Sequence, residues 1–66
     1  MTNNERDILE IIEMSIEYKL VCLNWKNEDI GFWIDEIIFN LSADHSKEIF
    51  NKLYALRDKY LGLDGE

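Results

Sequence analysis

ERDILEIIEMSIEYKLVCLNWK, residues 5–26, decides the fold class of this chain. It contains no proline or glycine, and its apolar residues recur with the period of a helix. At roughly 100° per residue, Arg6, Glu10, Glu13, Glu17 and Asn24 fall on one narrow polar strip. Ile8, Leu9, Ile12, Ile16, Leu20 and Leu23 form one apolar stripe. Ile11, Met14, Tyr18, Val21, Cys22 and Trp25 form a second beside it. A helix on the surface of a small monomer needs a single stripe, roughly 100° wide. The second stripe predicts a further contact. Either helix 1 lies between two other helices, or it meets a second chain. The expectation is a homodimer seam over Met14, Tyr18, Val21 and Trp25, with Tyr18 and Trp25 as the anchors, since Tyr and Trp are enriched at interface hot spots.

The rest of the 66 residues extends this helical reading. There is no proline, and two of the three glycines fall in the last five positions. Three helices are expected, at about residues 4–25, 28–41 and 43–61, followed by a frayed tail at 62–66. Asn4 is the expected N-cap of the first helix, with Glu5 and Asp7 in its first turn, where acids suit the helix dipole. Asn27 is the expected N-cap of the second, whose core stripe is Ile30, Trp33, Ile34, Ile37, Ile38 and Leu41. Gly31 sits where two helices could approach closely.

No glycine or proline separates helices 2 and 3, so the phase of the pattern has to. An unbroken helix would turn Asp44 and Glu48 towards the core. The actual apolar set, Ile49, Leu53, Leu56 and Tyr60, lies about 100° away. A break near 40–43 follows, with Ser42 as the N-cap of helix 3 and Gly62 in the position after its end. The fold class is therefore all-α: a small three-helix bundle, or a helical hairpin plus a third helix, forming one domain over 1–66. Helices 1 and 2 are expected to run antiparallel, and the protein is expected to dimerise.

Composition limits function. A chain this short buries only about 60% of its unfolded surface. Small domains make up the difference with disulfides, metals, oligomerisation or dense packing. A single cysteine allows no internal disulfide, and a single histidine allows no His-rich metal site. Nine isoleucines, eight leucines and eight aromatics suffice for a core and an interface, and they argue against disorder. Fourteen acids against seven bases leave a net charge of −7. That disfavours direct nucleic-acid binding and an anionic membrane surface. A basic partner fits better. The free thiol and the lack of a secretory pattern at residues 1–7 lead to a cytoplasmic expectation.

Charge is uneven along the chain. Residues 27–41 hold four acids and no base. On the side opposite the helix 2 core stripe stand Phe32, Asp35, Glu36 and Phe39. This acidic-aromatic face is the candidate partner-binding surface. Arg57, on the broad apolar side of helix 3, is expected either to pair with a helix 1 or helix 2 acid or to stand in water.

Several other constellations carry less. Glu10, Glu13 and Glu17 advance by roughly 5 Å per step along one edge of helix 1. With Asp29, Asp35 and Glu36 they could imitate a phosphate backbone, but a solvated helix face explains them as well. Asp44, His45 and Glu48 could place three metal ligands on one turn. They are read instead as acids at a helix start beside a half-buried histidine, because a site needs ligands from a second element. Cys22, on an apolar stripe, is read as a packing residue and not as a nucleophile. No catalytic residue, metal or cofactor is assigned, and an enzyme is not expected.

The words Ser42-Ala43-Asp44-His45 and Asn51-Lys52-Leu53-Tyr54 resemble a stretch of the Hha/YmoA family, small helical partners of nucleoid proteins. In that family the two words stand two residues further apart, about 200° on a helix. The faces therefore do not correspond, the rest of the chain departs from the family, and no role is carried over.

The expected function is that of a non-enzymatic protein that binds and modulates another protein, most simply by inhibition, as small regulators of phages and mobile elements do. One alternative is an immunity protein or antitoxin that neutralises a basic toxin. Another is a DNA-mimic inhibitor, and a third is a purely scaffolding subunit.

Overall fold

The computed structural model describes residues 1–63, so the expected frayed tail lies outside the described residues beyond Leu63. The described residues form three helices: α1 at Asn3–Val21, α2 at Asn27–Asn40 and α3 at Lys47–Leu61. Among the described residues there is no strand, and the all-helical expectation holds.

α2 and α3 form a close antiparallel hairpin. Gly31 meets Leu61 at one end, Asp35 meets Arg57 further along, and Ile38 and Phe39 flank one depression with Phe50 and Tyr54. Gly31 is what lets the helices come this near. A Cβ there would lie 2.5 Å from Leu61 Cγ and 3.4 Å from the Leu61 backbone nitrogen. α1 packs on this hairpin from further away, through side chains more than backbone approach.

The core is small and aliphatic. Ile30, Ile34, Ile49 and Leu53 have no exposed surface, and Leu9, Ile12, Ile16 and Ile38 complete the buried set. These residues come from the stripes that helical periodicity picks out. Ile8, Leu20, Trp25, Trp33, Ile37, Leu41, Phe50, Leu56 and Tyr60 pack around them, half-buried.

The helix ends differ from expectation at four points: the start and end of α1 and the starts of α2 and α3. α1 is capped by Thr2 and not Asn4. The Glu5 N–H donates to Thr2 Oγ1 at 3.1 Å, and the Thr2 N–H donates to Glu5 Oε1 at 3.1 Å, a reciprocal capping box. At its other end α1 stops at Val21 rather than near Trp25. Asn24 adopts φ +59°, a left-handed conformation that asparagine tolerates better than most residues. The Trp25 N–H then closes back on the Lys19 carbonyl at 2.9 Å.

α2 begins one residue earlier than expected, with Lys26 as its N-cap. The Lys26 N–H donates to Asp29 Oδ2 at 3.0 Å, so an acid from the first turn satisfies the helix start. α3 begins at Lys47, four residues later than expected, with Ser46 and not Ser42 as its N-cap. Ser42 instead shapes the connection: its Oγ accepts from the Asp44 N–H at 3.2 Å. α3 ends as expected, with Gly62 at φ +76° accommodating the left-handed stop.

Candidate functional site

Two exposed surfaces contain the residues singled out in the sequence. The first is the outer side of α1. Ile11, Met14, Tyr18, Val21 and Cys22 are all exposed, Val21 to 75%. This side points away from Leu9, Ile12 and Ile16, which face the core. Among the described residues nothing covers the second stripe, and helix 1 is not a sandwiched central helix. Trp25 leaves this surface. Because α1 ends at Val21 and the chain turns at Asn24, Trp25 is carried to the core margin and packs beside α2. It therefore does not share the exposed outer side of α1 with Met14, Tyr18 and Val21, the residues expected beside it in a seam. Leu23, expected in the core stripe, is exposed for the same reason.

The second surface is the outer side of α2. Phe32 is 64% exposed and Phe39 is 87% exposed, among the exposed carboxylates of Asp29, Asp35 and Glu36. The face splits into two depressions. Trp25, Asp29, Phe32, Trp33 and Glu36 line one at the α2 N-terminal half. Asp35, Ile38, Phe39, Phe50, Tyr54 and Arg57 line the other, between α2 and α3.

The carboxylates on this face differ in how they are held. Arg57 Nη1 donates to Asp35 Oδ1 at 2.9 Å, while Arg57 Nε and Nη2 donate to Asp58 Oδ1 at 3.2 and 3.0 Å. The guanidinium also lies 4.9 Å from the Tyr54 ring centroid. Hydrogen bonds to Asp35 and then Asp58 raise the Arg57 pKa above its ordinary value, so this cation is fixed. Arg57 thus takes the first of its two expected roles, pairing with a helix 2 acid. Asp29 is engaged by the Lys26 N–H. Among the described residues, the Glu36 carboxylate makes no ion pair.

One buried polar cluster escaped sequence reading. Glu5 is only 4% exposed. Its Oε2 accepts from the Ser46 N–H at 2.9 Å and lies 3.0 Å from His45 Nδ1. Its Oε1 accepts from Ser46 Oγ at 2.9 Å and from the Thr2 N–H. The Ser46 N–H first, then the Thr2 N–H, hold the Glu5 pKa down to about 2, against the opposing effect of desolvation. Glu5 therefore ties the start of α1 to the start of α3. Glu48 is also lowered, by the N-terminal ammonium of Met1 at 3.0 Å. His45 thus faces Glu5 across the fold, not a local trio with Asp44 and Glu48. Among the described residues, no three His, Cys, Asp or Glu side chains converge as a metal site. No described helix is long and apolar enough to cross a membrane.

Compared with known proteins, the chain matches no family model, and neither a curated protein nor a solved structure shows significant similarity to it.

Proposed function

We propose that this chain is a non-enzymatic binding protein that docks on, and inhibits, a larger protein with a basic surface. The outer side of α2 is the docking face. The observation that carries this reading is the exposure of Phe32 and Phe39 on a helix whose fourteen residues include four acids and no base. The monomer gains little from aromatic rings held in water, whereas a partner gains apolar contact at their centre and electrostatic steering from the acids around them. A basic toxin or nuclease is one partner with that chemistry, which makes an immunity or antitoxin role a form of the same reading.

The outer side of α1 supports a second contact, between copies of this chain. Ile11, Met14, Tyr18 and Val21 are spaced three, four and three residues apart, the seam spacing of paired helices. Pairing them would cover the apolar side that α1 turns to solvent. On this reading Val21→Asp converts a dimer to a monomer in sedimentation, and an unchanged mass at every concentration removes the seam.

The docking face is tested by affinity capture from the source cell, or from its host, at low and moderate salt. The wild-type chain is compared with Phe32→Ser/Phe39→Ser. The reading predicts one stoichiometric protein that is held less well at the higher salt and lost with the double variant. Recovery of only the chain itself under both conditions contradicts it.

A further inference from the structure

The chain has two tryptophans, and both line the same depression. Trp25 reaches it because Asn24 turns the backbone after α1, and Trp33 reaches it from α2. Phe32 adds a third ring, and Asp29 and Glu36 add two carboxylates. Among the described residues no basic side chain is part of its lining.

The indoles already hold a cation of the chain's own. Lys19 Nζ lies 4.5 Å from the Trp33 ring centroid and 5.1 Å from that of Trp25. An ammonium at this distance is drawn to the negative face of an aromatic ring. Lys19 thus covers one face of each indole, and it is not among the residues that line the open depression. Of the two carboxylates there, Asp29 is occupied by the Lys26 N–H, while Glu36 makes no ion pair among the described residues.

We infer that this depression seats an arginine side chain presented by the partner, with the guanidinium against the Trp25, Phe32 and Trp33 rings and paired with Glu36. A planar guanidinium can stack on a ring and bond a carboxylate through two parallel N–H groups, which an ammonium cannot do. The inference rests on the reading of the outer α2 side as a docking face, and it names the chemistry of one anchor on that face.

The test uses the full chain and short capped peptides that carry a central arginine, lysine or citrulline. Both tryptophans line the depression, so their emission reports occupancy. The arginine peptide is expected to give a saturable change, with an affinity about tenfold above that of the neutral citrulline isostere. Glu36→Gln and Phe32→Ala each remove most of that preference, with unchanged helicity by circular dichroism. Phe39→Ser, in the other depression, leaves it intact. Equal binding of the arginine and citrulline peptides overturns the inference. So does a Glu36→Gln variant that binds as the wild type does, or a lysine peptide that binds as tightly as the arginine one. If Glu36→Gln still captures the cellular partner and Phe32→Ser/Phe39→Ser does not, the docking face stands and only the arginine seat falls.

Discussion

The two sides of α2 are built from different chemistry. Inward, Ile30, Ile34 and Ile38 are buried against α1 and α3. Outward, Phe32 and Phe39 stand in water among carboxylates. The inward residues are stiff at χ1 and lose little side-chain freedom on packing, so they suit a close-fitting core. The outward rings offer more apolar area per residue but find little cover among the described residues. The inward side carries stability; on the proposed reading the outward side carries recognition, and mutation should separate the two.

The largest effect belongs to the inward side. Ile34→Ala is expected to lose about 2–5 kcal/mol, because it removes a fully buried side chain and leaves a cavity. Urea unfolding measures this directly. A loss below about 1 kcal/mol, the size typical of trimming a single methyl group, would mean that the α2 core is loose enough to collapse into the gap.

Gly31→Ala tests the close approach of α2 and α3. Its Cβ must displace the Leu61 side chain and press on the Leu61 backbone. The expected cost is about 1–3 kcal/mol, offset by up to about 1 kcal/mol of better helix propensity. A fall in Tm is the expected readout, and a rise would show that Leu61 yields freely.

The Glu5 cluster predicts an acid limb in stability. Its carboxylate is held at about 2 in the folded chain against an ordinary value of 4.5. The folded state therefore binds fewer protons in this window, and its stability falls as pH drops from about 4.5 towards 2. Above 4.5 this contribution is fully present. Glu5→Gln is expected to be less stable at neutral pH and to show a flatter profile through the acid window. A variant profile parallel to the wild type would show that other carboxylates carry the acid limb.

Much of this architecture is written in residue periodicity. The buried positions of all three helices, Leu9 to Ile16, Ile30 to Ile38 and Ile49 with Leu53, follow the helical repeat, because that repeat decides which side chains can share a face. Gly62 marks its helix end for a local reason, its tolerance of positive φ. The end of α1 was harder to see. Asn24 fits a helical polar strip as readily as a left-handed stop, and the choice moved Trp25 from one surface to another. Ser42 and Ser46 are equally good caps as local sequence. Ser46 caps α3 while also bonding Glu5, 41 positions earlier. Thr2 and Glu5 do carry a local capping-box signature, but it reveals only half of what Glu5 bonds. Of the outer α2 side, Phe32, Asp35, Glu36 and Phe39 were legible as one face. Their division into two depressions was not, because Trp25, Tyr54 and Arg57 reach them from elsewhere in the chain.

The smallest expected change in stability tests the central claim most directly. Phe32→Ser/Phe39→Ser should unfold in urea within about 0.5 kcal/mol of the wild type, as exposed substitutions do, with the same slope. That result would leave the fold to the inward side of α2 and free its outer side for recognition. A loss of about 2 kcal/mol or more would place these rings in the structural core and contradict the account.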